Sequence, residues 1–245
     1  MTAGLDPFAR LRALTRARIG LGRSGDALPT RALLDFQAAA SQARDAVHAA
    51  IDLDALRRAL APRACIEVAS RAPDRTAYLA RPDWGRELGQ GMDALDAARG
   101  DYDLAFVIAD GLSATAAMAH ALPLLDATRR RLAGWSIAPM VLARQARVAL
   151  GDAVAQRLGA RMVAVLIGER PGLSVADSLG VYLTWAPRAG HPDALRNCLS
   201  NIHAHGLDYE RASGLLAALA TEARQRRLTG TALKLDVSLP ASESR

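Results

Sequence analysis

Cysteine is scarce in this chain of 245 residues, which holds two, Cys65 and Cys198. Two cannot build a disulfide framework, and neither sits in CxxC or another metal-ligand spacing. A reducing cytosol is the compartment that suits them. Aromatics are equally thin, at 4% of the residues, which leaves few platforms on which single-stranded nucleic acid could stack. Lysine occurs once, as Lys234, so the net charge of +6 is carried by arginines. These are scattered among acids rather than gathered in a stripe, and no zinc-finger, basic-zipper or RRM signature accompanies them, so nucleic-acid binding is not expected. Long hydrophobic runs are missing too. The uncharged stretch from Gly111 to Leu125 is 15 residues and contains His120 and Pro123, too short and too broken to span a bilayer. The opening "MTAGLDPFARLRALTRARIG" spreads arginines where a secretory signal needs an apolar segment, so no membrane or export role is expected.

What remains is an ordinary globular composition, 51% apolar and 23% charged. At this length a chain buries roughly 70–75% of its unfolded surface. Phe8, Leu11 and Leu14 recur at a spacing of three among arginines, which predicts a short amphipathic helix. From Pro29 to Ile51, Leu33, Leu34, Phe36, Ala40, Ala43 and Val47 recur at helical spacing, with Thr30 as the expected N-cap. Short apolar runs follow at Cys65–Ser70, Leu104–Ala109, Ile137–Leu142, Met162–Ile167 and Val181–Trp185, with helical patterns between them such as Ala114–Leu132 and Leu150–Leu158. Near-continuous apolar strands alternating with helices predict a sheet buried on both faces. The expected fold is therefore α/β, a Rossmann-like open, mostly parallel sheet with helices on both faces, preceded by an N-terminal helical arm. The arm is expected over residues 1–60 and the sheet domain over 61–245.

In such a sheet, ligands sit beyond the carboxyl ends of the strands. Two loops leave strands there with unusual chemistry. "VIADGLSATAA" places Asp110, Gly111 and Ser113 between strand and helix, where free helical N–H groups could meet a ligand. "LIGERPG" follows a buried strand with opposed charges pinned by Pro171 and Gly172. Either is readable as a plain turn and cap or as a ligand contact. "GLSAT" approximates the nucleophile elbow G-x-S-x-G, with Ser113 as nucleophile, but Thr115 replaces the last glycine and no HGGG-like oxyanion loop matches it. A self-sufficient α/β hydrolase is the alternative function this motif allows.

"NIHAHG" approximates the D-x-H-x-x-G pattern in which an imidazole replaces the nucleotide base on cobalt. Asn201 stands where the orienting acid belongs, and only 39 residues follow Gly206, so His203 reads as structural. His203 with His205 is no better as a metal pair, since residues two apart on a helix diverge. No G-x-G-x-x-G follows a strand, and no Walker pattern occurs.

Taken in order, "LTRARIGLGRSGDALPTRALLDFQAAASQARDAVH", "LAFVIADGLSA", "RVALGD", "IGERPGLSVADSLGVYLT" and "RNCLSNIHAHGL" resemble the small subunit of ethanolamine ammonia-lyase over nearly the whole chain. The resemblance implies an adenosylcobalamin-dependent, carbon–nitrogen bond-cleaving enzyme. In it a large TIM-barrel subunit holds ethanolamine, and the small subunit helps clamp the cobalamin at the interface. The cobalt–carbon bond breaks homolytically, the adenosyl radical takes a hydrogen, the amino group migrates, and acetaldehyde and ammonia leave. The cofactor keeps its own base on cobalt, in line with a structural His203. The implied partner is the large subunit, in a higher-order hetero-oligomer, located in the bacterial cytoplasm or inside a bacterial microcompartment. The implied cobalamin contacts are Val148 of "RVALGD", Glu169 of "GERPG" and Cys198 of "RNCLSN", with no catalytic residue and no metal ligand on this chain. Glu169 would accept hydrogen bonds from rim amides or a ribose hydroxyl, unless it pairs with Arg170 or another arginine. Val148 and Cys198 would offer small, close-fitting surfaces, unless they only pack the core.

Overall fold

The computed structural model describes residues 6–235. Residues 1–5 and 236–245, at the outer ends of the arm and the sheet domain, lie outside the described residues. Seven strands form one sheet: β1 (Cys65–Ser70), β2 (Leu88–Gln90), β3 (Tyr102–Ala109), β4 (Met140–Arg144), β5 (Ala160–Gly168), β6 (Leu179–Trp185) and β7 (Arg196–Ile202). Their order is β2-β1-β4-β3-β5-β6-β7. The central four, β1, β4, β3 and β5, run parallel, while β2 at one margin and β6 and β7 at the other are antiparallel to their neighbours.

The parallel strands are apolar on both faces because both are covered. Along β3, Leu104, Phe106 and Ile108 join one core layer, and Ala105, Val107 and Ala109 join the other. The first layer packs against α3 (Leu53–Leu60), α6 (Ala114–Arg131) and α8 (Tyr209–Arg226). The second packs against α5 (Met92–Ala97) and α7 (Leu150–Leu158), while the short α4 (Arg75–Ala80) lies near the strand ends. Burying a Leu or Phe from each layer contributes about 1.5–3 kcal/mol, and this non-polar burial is what holds the sheet between its helices.

Several details differ from the expectations. The expected strand at Ile137–Leu142 is shifted to Met140–Arg144, and Ile137 makes only an isolated bridge to Leu104. β2 and β7 carried no strand expectation. The arm does contain helices α1 (Ala9–Leu14) and α2 (Thr30–His48). Thr30, however, is the first helical residue and Pro29 the cap, without a side-chain bond. Proline at that boundary fixes the entry angle instead of capping.

The arm's apolar face stays open. Of the 19 residues in α2 only Ala46 is buried, and Leu33, Leu34 and Phe36 are exposed. Arg18 ties the arm to the sheet domain, donating to the Leu173 carbonyl at 3.3 Å and lying 5.9 Å from the Phe36 ring centroid. No helix among the described residues is long and apolar enough to cross a membrane.

Candidate functional site

At the carboxyl rim of the sheet, the ends of β3 and β5 nearly touch. A Cβ on Gly168 would lie 1.9 Å from the Ser113 carbonyl oxygen, and one on Gly111, whose φ is +56°, would lie 2.2 Å from the Gly168 oxygen. Glycine is required at both, for space and, at Gly111, also for backbone conformation. Beside this junction is a cleft of about 460 Å³ lined by, among others, Tyr78, Arg147, Val148, Glu169, Arg170 and Tyr182. Val148 and Glu169, 21 positions apart in sequence, thus share one wall.

Glu169 leaves β5 at the base of the β5–β6 hairpin, where its amide donates to the Ser178 carbonyl at 2.9 Å. The Ser178 hydroxyl and the Asn201 amide both donate to its Oε2, the latter at 3.2 Å. No arginine or lysine among the described residues forms an ion pair with it, so the pairing with Arg170 is not made. Its Oε1 has no protein donor among the described residues and lies against Gly180, where a Cβ would come within 3.0 Å. One carboxylate oxygen is therefore fixed and the other is free to accept.

Cys198 is brought to the same region by strand register. It stands opposite Tyr182, a residue of the cleft. Alternation explains why it is accessible. Leu179, Val181 and Leu183 of β6 face the core layer that contains α8, so Tyr182 and Cys198 point to the other face. Cys198 is exposed there. Burial by its immediate surroundings and the nearby Glu169 carboxylate nonetheless raise the thiol's pKa above its ordinary value, partly offset by Tyr182. Cys198 is therefore a neutral, polarisable contact surface at neutral pH rather than a thiolate.

Asp110 is not free to meet a ligand. It is buried and accepts from the amides of Gln145 and Ala146 at 2.8 and 3.0 Å, with Arg75 Nη1 at 3.6 Å. Burial pushes its carboxyl up, while those N–H groups and Arg75 pull it back. Its work is to pin the loop after β4, the loop that carries Arg147 and Val148. Tyr78 pins the same loop from the other side, donating to the Ala146 carbonyl at 3.1 Å. A third brace is buried deeper. Arg196 makes a bidentate pair with Asp152 at 2.7 Å, with both side chains at most 1% exposed. It also donates to Thr184 at 3.0 Å. This pair ties β7, which holds Cys198, to the first turn of α7, which follows Val148.

The hydrolase alternative fails on geometry. Ser113 is fully buried, caps α6 by accepting the Ala116 amide at 3.2 Å, and donates to the Ala176 carbonyl at 2.9 Å. No histidine among the described residues is hydrogen-bonded to it: His203 Nε2 is 2.8 Å from Asn201 Oδ1, the His205 amide is spent on His203 Nδ1, and His120 Nδ1 is 2.7 Å from the Tyr209 hydroxyl. His203 is structural, as its sequence context suggests, although the setting is a strand end and turn rather than a helix. Its Nδ1 accepts the His205 amide at 3.2 Å, and burial lowers its pKa. No group of three or more His, Cys, Asp or Glu able to hold a metal occurs among the described residues.

Tyr182, Arg147, Ser178 and the Asp152–Arg196 pair escaped sequence reasoning, as did the part Asn201 plays in holding Glu169. The aspartate that ends "RVALGD" was the available signal, since an acid in the first turn of an apolar helix needs a partner when buried.

Fold and rim together define an α/β domain with a shallow, braced contact site and no nucleophile–base pair in it. The family model described as ethanolamine ammonia-lyase light chain matches residues 5–234. The chain belongs to that family. It is 51% identical over 246 aligned residues to the ethanolamine ammonia-lyase small subunit of Xanthomonas campestris pv. campestris, covering 96% of this chain and 90% of that one. It is 49% identical to the protein of the same name from Ralstonia nicotianae, over 99% and 93% of the two chains. The Azotobacter vinelandii protein of that name is 51% identical over 94% and 88%.

Proposed function

We propose that this chain is the small, non-catalytic subunit of an adenosylcobalamin-dependent ethanolamine ammonia-lyase. With a large subunit it converts ethanolamine to acetaldehyde and ammonia, and its own part is to complete the cobalamin site at the subunit interface. The observation that carries this reading is the convergence of Val148, Glu169 and Cys198. Three positions spread over 51 residues of sequence meet at one braced rim.

The chemistry of the rim suits the cofactor. A corrin has apolar faces fringed by amide arms; the cleft offers a small apolar side chain, a glutamate with one carboxylate oxygen free of a protein donor, and a tyrosine, and the neutral thiol of Cys198 stands beside that tyrosine on the neighbouring strand. At about 460 Å³ the cleft takes an edge or an arm of the macrocycle, which leaves the remainder to a second polypeptide. When bound, the cobalamin supplies a cobalt–carbon bond that can cleave homolytically. The residues of this chain bind, orient and shield it. Glu169, held by Ser178 and Asn201, presents its free oxygen with little ordering cost, so an accepted amide hydrogen bond is worth about 1.5–3 kcal/mol.

In this reading residues 1–60 are the docking arm and 61–245 the Rossmann-like, cobalamin-contacting domain. The open faces of α1 and α2 support the first assignment and the rim supports the second. We place the hetero-oligomer in the bacterial cytoplasm or within a microcompartment. The test is reconstitution. Neither chain alone should release ammonia from ethanolamine and adenosylcobalamin, whereas the mixture should. Activity from this chain alone, or none after pairing, would discard the proposal.

A further inference from the structure

Arg147 lines the same cleft as Val148 and Glu169, and nothing in the reading above uses it. Its backbone is fixed, since its amide donates to the Gly85 carbonyl at 2.8 Å. Its side chain is fixed as well. The guanidinium carbon lies 4.4 Å from the centroid of Tyr78, a fully buried ring whose hydroxyl is bonded to the Ala146 carbonyl. Gly85 makes room for this stack, because a Cβ there would lie 2.8 Å from Arg147 Cγ and 2.9 Å from the Tyr78 ring.

For all this ordering, Arg147 makes no side-chain hydrogen bond or ion pair among the described residues, and its Nε is buried without an acceptor. Arg75, the other guanidinium over Tyr78, differs: it has Asp110, the Val47 carbonyl and the Gly111 carbonyl as partners. The carboxylate that shares the cleft, Glu169, has one oxygen engaged by Ser178 and Asn201 and forms no ion pair with Arg147 among the described residues. A planar, always-charged fork, immobilised on an aromatic ring and lacking an acid, matches a phosphate oxygen pair.

We infer that Arg147 is an anion subsite of the cleft that takes the phosphate of the cofactor's nucleotide tail. The inference rests on the cobalamin reading and assigns the tail, rather than only the corrin rim, to this chain. Corrinoid binding to the assembled two-subunit enzyme tests it, followed by absorbance with two probes. Cobinamide and cobinamide phosphate share the macrocycle and differ in the phosphate.

The wild-type complex is expected to bind cobinamide phosphate about tenfold more tightly than cobinamide. Arg147→Gln should erase that preference while leaving cobinamide affinity unchanged. Arg147→Lys, which keeps the charge but loses the fork, should retain part of it, and raised salt should weaken the preference in the wild type. A preference that survives Arg147→Gln, or a wild type with none, would overturn the inference. So would equal loss of both probes in Arg147→Gln and Arg147→Lys alike, since that reports a structural role. Glu169→Ala separates the two levels. If it weakens both probes equally, the cobalamin reading stands whatever Arg147 does. If neither Glu169→Ala nor Arg147→Gln moves either probe, that reading falls too.

Discussion

Cys198 shows how strand register makes a contact residue. Two positions away, Arg196 is sealed against Asp152 of α7, yet Cys198 on the same face of the strand is open. The thiol's pKa is raised from its ordinary 9.0, so the protonated form persists to higher pH than for a free cysteine. In the isolated chain, iodoacetamide labelling of Cys198 should therefore be slow near neutral pH and rise only above about pH 9, followed by mass spectrometry. Fast labelling at neutral pH would mean an activated thiolate and a different role. Little of this residue-scale detail was legible. "GERPG" flagged Glu169 by its odd charge next to proline, but its donors, Ser178 and Asn201, come from the opposite side of the β5–β6 loop and from the end of β7. Asp110 looked like a ligand because an acid between strand and helix usually faces solvent; burial turned it into a brace.

At the scale of elements, the rim depends on ties between strands, helices and loops. The Asp152–Arg196 pair joins α7 to β7 with both charges out of water, so removing one partner strands the other. Asp152→Ala should destabilise the chain by about 3–5 kcal/mol in chemical denaturation. The double change Asp152→Leu with Arg196→Met should cost clearly less, since it leaves no orphan charge. Equal losses would mean that the pair matters only as volume. Strands buried on both faces were readable because each is a plain apolar run, as in "LAFVIA" and "MVAVLI". β7, "RNCLSNI", was not, since one face is open and carries the polar half of its alternation. β2 is three residues long and too short to show a period. The antiparallel direction of β6 was available but unread. Ten residues separate Gly168 from Leu179, fewer than the dozen or so a parallel crossover needs.

Across the whole molecule, the unfinished surfaces are the arm and the rim, and Arg18 physically links them by bonding the hairpin that follows Glu169. Docking of the arm on a large subunit would therefore fix that hairpin as well as cover apolar side chains. Leu34 is 56% exposed and contributes little to the chain's own core. Leu34→Glu should weaken association with the large subunit by roughly tenfold or more, as burying an unpaired charge would, measured by sedimentation, and leave the chain's melting temperature nearly unchanged. A lowered melting temperature with intact association would place this face inside the fold instead.

The central claim is that residues 147–149, 168–170 and 197–199 form one cobalamin-contacting rim. Hydrogen–deuterium exchange of the assembled enzyme, with and without adenosylcobalamin, tests it most directly. The account predicts that these three segments slow together when the cofactor is added, with the rest of the chain little altered. Unchanged exchange at all three, with protection confined to the large subunit or to another face of this chain, would contradict it.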